Sequence, residues 1–439
     1  MGKAFTVAVT GDSVVSKRIS ASTEETFLSA VKIVRDADIA FTHLEGAITD
    51  YDGPEVYPAA ESGWTWLGLP HYAARELKWA GFDLVSHASN HCMDYSYGGL
   101  LNTWKAMDEA DLCHAGTGKN LGEAREPSYL DTEHGRVALI SMSSTFSGWA
   151  RAGEARRDMK GRPGVNPLRI YYKVDAGTLE GLKQLAVKLG WVIRQAGKVW
   201  VMHPSGLYHT AQTFLEGGRP GVSTEVNEDD AAGNLRSVRE ARRHADWVIV
   251  HLHTHEFHPV QGINVSADFV RPFSRECIEA GADIFVANGS HADLRGIELH
   301  KNKPIFYDPG AFIGGARTIK KLPADFYLQP GFGPEVRDWQ ATPSDAFEAR
   351  EALRKPFNPP NSAGPVAGSV IALCTFGEKA ELTGLKLHPV TLSRERCSRG
   401  LPMTADAEAA KKIIEFVAGL SSPFGTKIVF HDGAGLVKL

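Results

Sequence analysis

Five short apolar runs, each closing on a polar loop, constrain this chain more than any other feature. They are Phe5 to Val9, Ile39 to Thr42, Leu84 to Ser86, Val248 to Leu252 and Ile284 to Ala287. Runs this short and this uniformly apolar read as parallel strands buried on both faces. In an open parallel sheet, the loops at the carboxyl ends of the strands converge on one crevice. Asp12, Glu45, Asn90, His91, His253 and His291 close or follow these runs, so the topology gathers them into one cluster. Carboxylates, an amide oxygen and imidazoles are the donors a divalent metal needs, and the pattern is that of a metalloenzyme.

Each motif also has a plainer reading. Gly11-Asp12 turns the chain at the strand end and sends a carboxylate into the crevice, although an Asp there can simply cap a helix. A lone Glu45 is usually solvated; opposite Asp12 it becomes a second or bridging carboxylate. Ser89-Asn90-His91 is the sharpest signal: Asn offers a neutral oxygen, His a proton, and Asp94 can fix which imidazole nitrogen carries it. In His251-Leu252-His253-Thr254-His255-Glu256 the imidazoles alternate. A persisting strand would align all three, whereas a loop from 253 would splay them. His253 suits a metal, His251 a satisfied core position, His255 acid/base work, and Glu256 the orientation of an imidazole. Asn288-Gly289-Ser290-His291, with Asp293 and Arg295 behind it, would pass for a polar turn if it stood alone. The joint occurrence of five such motifs at five strand ends gives the pattern its weight.

Strand and helix signals alternate from residue 4 to about 115, with helices expected over Ser22 to Ala37, Tyr72 to Ala80 and Leu101 to Ala110. This alternation predicts right-handed β-α-β crossovers. From 145 to 235 the pattern breaks, and the segment reads as an insertion whose loops overhang the crevice as a lid. It includes a helix with Leu182, Leu185, Leu189 and Val192 on one face. The alternation resumes at Leu235, so residues 1–318 form the catalytic domain. Residues 319–439 read as a Pro-rich linker (including Asn358-Pro359-Pro360-Asn361) followed by a hairpin across Gly377-Glu378-Lys379 and a helix from Ala405 to Leu420 that pack on the main domain, with a terminal strand. The fold class is α/β, a layered arrangement of mainly parallel central strands flanked by helices.

Composition excludes several classes. With 48 Lys+Arg against 52 Asp+Glu and a net charge of -4, no long like-charge block suits nucleic acid or an anionic membrane. No stretch approaches the roughly 20 apolar residues of a bilayer span, and Met1 to Phe5 leads straight into a strand, so a cytoplasmic location is expected. The five cysteines are scattered without a C-x-x-C pair and read as reduced, packed thiols, Cys92 included. Exposed Trp149, Arg151, Arg162 and Arg295 would suit a peptide or small carboxylate-bearing substrate, although ordinary loop packing explains each equally well.

These motifs, in this order, resemble the CapA family, named after the capsule poly-γ-glutamate synthesis protein and related to calcineurin-like metallophosphatases. The resembling segments are Gly11-Asp12, His43-Leu44-Glu45, Ser89-Asn90-His91 with Asp94, Arg162 to Arg169, His253-Thr254-His255-Glu256, Ala280 to Asp283, Leu294 to Glu298 and Pro304 to Tyr307. They span roughly residues 5 to 315. The resemblance implies a metallophosphatase-like fold. It also makes Asp12, Glu45, Asn90, His253 and His291 metal ligands and His91 a proton-transfer group. Oxygen donors with two or three imidazoles suit one or two divalent ions (Mn, Zn, Fe or Ca), and Asp94, His255 and Asp12 are further catalytic candidates beside His91.

Three departures stand out. Asp12-Ser13-Val14 replaces the metallophosphatase Asp-x-His, so one coordinating imidazole is missing; Asn288 stands in a family His-Gly-Pro-His run; and Gly310-Ala311-Phe312 replaces Gly-Asn-Phe.

The implied function is metal-dependent hydrolysis of an amide or ester in a peptide or poly-γ-glutamyl substrate. The metal would polarise the carbonyl or lower the pKa of its water to about 7. The alternatives are epimerisation at a peptide Cα, as in the lasso-peptide epimerase branch the chain resembles, and a non-catalytic binding protein.

Overall fold

A computed structural model describes residues 4–204, 211–218, 220–291, 294–353, 368–377 and 380–439. Asp293, Asn358 to Asn361 and the Glu378-Lys379 turn lie outside them. All five apolar runs are strands: β1 (Phe5–Val14), β2 (Ile39–Leu44), β3 (Leu84–Ser86), β4 (Trp247–His253) and β5 (Ile284–Asn288). They do not share one sheet. β1, β2 and β3 are parallel neighbours in the first sheet, while β4 and β5 are parallel neighbours in a second, which also holds Gly135–Ser143 beside β4.

The two sheets face each other, and the pleat explains how. Successive side chains of a strand point to opposite faces. Val7 and Val9 of β1, Ile39 and Phe41 of β2, Ile249 of β4 and Ile284 and Val286 of β5 meet in one apolar core between the sheets. The alternate residues face outward. Ala8 and Ala40 pack under helices α1 (Glu25–Arg35) and α2 (Ala73–Ala80), with α3 (Ser96–Glu109) alongside. Val248, Val250, Phe285 and Ala287 pack under α4 (Glu228–His244) and α5 (Val270–Ala280). The result is a helix–sheet–sheet–helix sandwich. Continuous apolar runs arise because both faces of each strand are covered.

The same parity puts a polar group at the end of each inner face. His43 continues Ile39 and Phe41, His251 and His253 continue Ile249, and Asn288 continues Val286. These groups lie between the sheets at their carboxyl ends.

Three expectations change. The hairpin after 318 does more than pack on the main domain: it enters its first sheet. Strand β6 (Ser369–Phe376) pairs antiparallel with β1 inside the first sheet, and β7 (Leu382–Leu392) pairs with β6. The irregular stretch holds short helices at Ala324–Tyr327 and Pro334–Arg337 and a longer one, α6 (Pro343–Leu353). Phe326, Val336 and Ala346 of these helices, with Phe332 between the first two, bury Trp66, which anchors them against the loop before α2.

In the 145–235 segment the strands form a small five-stranded sheet of their own with helix Ala176–Lys188. That helix buries Leu179 and Ala186; Leu185 and Leu189 are exposed, and Val192 lies in a strand, so the expected apolar face is rotated. Finally, α1 starts at Glu25 rather than Ser22, without a side-chain cap, and ends at Arg35. Helix α7 (Ala407–Ser421) closes the open side of β7.

Candidate metal centre

Asp12 follows an irregularity in the β1–β2 pairing between Val9 and Asp12. Gly11 sits where a Cβ would lie 1.9 Å from Gly310 O, so its role is close approach of two loops rather than a turn. Glu45 follows β2 and its amide donates to Ser13 O (3.2 Å). Asn90 and His91 lie in the turn after β3, where the His91 amide donates to Ser89 Oγ (3.0 Å). His253 ends β4, and the next residues are held by Glu256, whose carboxylate accepts from Ser144, Thr145 and Thr254 hydroxyls at 2.7 to 2.9 Å. Glu256 therefore fixes the loop rather than an imidazole. His291 has a left-handed φ of 64°. Asp308 secures it from behind, accepting from Ser290 N and Oγ and from Gly310 N.

The structure brings Asp12, Glu45, Asn90, His91, His253, His255 and His291 into one cluster. Donor atoms of Asp12, Glu45 and His291 lie within 4.8 Å of one another, and so do those of Glu45, His253 and His255. His253 Nε2 is 2.8 Å from Asn90 Oδ1 and 3.1 Å from His255 Nε2. His251 is a satisfied core histidine, bonded to Ser141 Oγ and Asn288 Oδ1.

Buried atoms test whether a cation fits. Glu45 Oε1 and Asp12 Oδ2 are buried without a hydrogen-bond partner. Burial, and then the neighbouring Glu45, push Asp12 up to about 7. Burial opposes a charge on His291, but Glu45 and Asp12 overcome it and hold the imidazole well above its usual range. Its Nδ1 is 3.3 Å from Glu45 Oε2 and 3.4 Å from Asp12 Oδ2. Two buried carboxylates so close need positive charge between them, and the donor set suits a divalent ion.

His91 and Asp94 form a separate pair. His91 Nδ1 is 2.7 Å from Asp94 Oδ2, and Asp94 also accepts from Ser62 Oγ (2.6 Å) and Leu67 N (2.7 Å). Burial works against charging His91, but Asp94 raises its pKa. Its Nε2 faces Glu45 Oε1 at 3.9 Å. Burial, then His291, lowers His255 to about 3, so that ring is neutral.

A cavity of about 370 Å³ is bordered by Asp12, Glu45, His91, His291, Arg317 and Arg350. A neighbouring space of about 590 Å³ shares His291 and Arg317 and adds Arg394 and Arg399. Neither is lined by Trp149, Arg151, Arg162 or Arg295, the residues expected to hold substrate, nor by any residue of the 145–235 segment expected to overhang the crevice. Trp149 packs on the cluster around Cys92 and Met93. Arg162 Nε donates to Arg151 O, and Arg295, almost fully buried, donates to Ile263 O. The rim instead comes from the C-terminal third. Arg350 donates to Trp64 O and Thr65 Oγ1, tying α6 to the loop that carries Gly63 against Asn90. Among the residues the sequence did not point to, Ser62, Arg394 and Arg399 sit on loops with no periodic signal, and Arg317 and Arg350 lie on helical segments of the irregular stretch. Cys92 is buried, its thiol pushed up to about 12, as packing requires.

A layered α/β sandwich with a carboxylate–imidazole cluster at the strand ends defines a metallophosphatase-like protein. The family model of the bacterial capsule synthesis protein PGA_cap matches residues 6–316, and the chain belongs to that family. It is 32% identical to the protein y4sH of Sinorhizobium fredii over 99% of this chain and 93% of that one. It is also 24% identical to the capsule biosynthesis protein CapA of Bacillus anthracis, over 59% of this chain and 48% of that one. A probable polyglutamine synthesis accessory protein of Mycobacterium tuberculosis is 26% identical over 52% and 43%. Among the described residues, no helix is long and apolar enough to cross a membrane.

Proposed function

We propose that this protein is a metal-dependent enzyme that cleaves an amide or ester bond in an acidic peptide or poly-γ-glutamyl substrate. The observation that carries the reading is His91: backed by buried Asp94 and facing Glu45 across 3.9 Å, it borders the same cavity as the donor cluster. A bound divalent cation supplies Lewis acidity to a carbonyl and to water. Asp12, Glu45 and His291 would hold it, with His253, His255 and the neutral donor Asn90 on the other side of Glu45. Asp94 keeps the proton of His91 on Nδ1, so Nε2 is the atom that exchanges a proton with water or leaving group. Arg394 and Arg399 line the way in, beside the Arg317–Glu351 ion pair, and favour an anionic substrate. The capsule-synthesis family and the CapA and polyglutamine-accessory relatives agree with a substrate linked to polymer synthesis.

Epimerisation at Cα is the second reading, supported by His91 and His291 bordering one cavity, two imidazoles able to face one carbon from two sides. Incubation of the metal-loaded protein with a γ-glutamyl peptide in deuterated water separates the readings. New termini support hydrolysis, and label at Cα with intact mass supports epimerisation. Neither change, across acidic peptides and esters, leaves only a binding protein.

A further inference from the structure

His43 was not among the expected site residues, yet the inner-face parity of β2 places it, fully buried, beside Asp12. Its ring stacks between those of His251 and His253, at 4.8 and 4.7 Å. A chain of buried hydrogen bonds fixes its protonation. Asn288 Nδ2 donates to Asp12 Oδ1, so Asn288 Oδ1 accepts from His251 Nε2. His251 Nδ1 then has no proton and accepts from Ser141 Oγ (2.9 Å). Ser141 in turn accepts from Ser86 Oγ (2.5 Å), and Ser86 accepts from His43 Nδ1 (3.2 Å). The proton of neutral His43 is thereby placed on Nδ1, and Nε2 carries a lone pair.

That lone pair has no hydrogen-bond partner and faces Asp12 Oδ1, a second acceptor, at 3.9 Å. Two buried acceptors facing each other are costly unless a cation lies between them. Their separation falls within the roughly 3 to 4 Å that two donors of one ion keep. His253 completes the set, since donor atoms of Asp12, His43 and His253 all lie within 4.8 Å of one another.

We propose that His43, Asp12 and His253 form an inner cation position, distinct from the outer one at Asp12, Glu45 and His291, with Asp12 shared between them. Two imidazoles and one carboxylate select a borderline ion such as zinc, whereas two carboxylates and one imidazole give the outer position a harder donor set. His43 thus supplies from β2 the imidazole that Asp12-Ser13-Val14 lacks on β1. The Ser86–Ser141–His251–Asn288 chain acts as its positioning network, linking the inner ligand back to the shared carboxylate.

The inference rests on the metal reading above, and its test reads metal content rather than turnover. Metal-free protein is dialysed against zinc, and bound zinc per chain is measured for the wild type, His43→Phe and Ser86→Ala, with thermal melts to confirm folding. Phe preserves the ring stack and removes both nitrogens. The expected result is two zinc ions in the wild type and one in His43→Phe. Ser86→Ala, which removes the acceptor of the Nδ1 proton, should hold the second ion about 10- to 100-fold more weakly. If His43→Phe does not fold, the zinc affinity of Ser86→Ala decides the question. Equal zinc content and affinity in wild type and variants overturns the inner position and leaves the outer one standing. No zinc in the wild type overturns both.

Discussion

His91 Nδ1 and Asp94 Oδ2 lie 2.7 Å apart, both buried, with the opposite nitrogen of the imidazole aimed at Glu45. This pair makes the first prediction. Asp94→Asn keeps the size of the side chain but removes the charge that raises His91, and turnover should fall about 100-fold or more. The basic limb of the pH–rate profile should shift down while zinc content stays unchanged. An unaltered profile would take Asp94 out of the chemistry.

Gly63 lies where a Cβ would meet Asn90 Nδ2 at 2.1 Å and His91 Nε2 at 3.2 Å. Gly63→Ala therefore pushes Asn90 from His253, costing about 1 to 3 kcal/mol by overpacking. The expected signature is weaker cation binding by calorimetry with a near-normal circular dichroism spectrum. Unchanged affinity would mean that Asn90 contributes nothing to the cluster.

Cation affinity should depend on pH with a definite sign. Metal-free Asp12 titrates at about 7 and His291 well above its usual range, so a cation must displace protons from both. Affinity is predicted to fall below pH 7, by up to about tenfold per pH unit for each proton displaced, and to level off only once both groups have lost theirs. Titrations in buffers of differing ionisation enthalpy would reveal the released protons. A flat profile between pH 6 and 8 would contradict this assignment.

Arg394 and Arg399 border the larger cavity and make no ion pair among the described residues. Replacing both with Ala should raise KM for an anionic substrate about tenfold with kcat little changed, and added salt should narrow the difference. An equal KM at low salt would remove the arginine rim from recognition.

Much of this arrangement was legible in the sequence because it rests on local pattern. Apolar runs such as Ile39 to Thr42 and Ile284 to Ala287 are strands buried on both faces, and each leads to a polar loop. The division into two sheets was not legible, since a strand covered on both faces reads alike in either sheet. His43 was concealed for a related reason: it looks like part of the strand, and only its parity with Ile39 and Phe41 reveals that it points between the sheets. Trp149, Arg151 and Arg162 stand out in the sequence as conspicuous loop residues, but the two cavities at the cluster are not lined by them. Arg317, Arg350 and Arg399, which border those cavities, are brought there by long-range packing of the C-terminal third, which has no periodic signature. Arg295, expected at the surface, is buried behind the Asp308 segment.

On the metal-dependent reading, a cation held by Asp12, Glu45 and the imidazoles runs the chemistry. Exhaustive chelation followed by stepwise return of a divalent ion, with turnover of an acidic γ-glutamyl peptide followed throughout, is the sharpest trial of that reading. Activity should be lost on chelation and restored as the ion reaches stoichiometry with the chain. Full activity in protein shown by elemental analysis to be metal-free would contradict it.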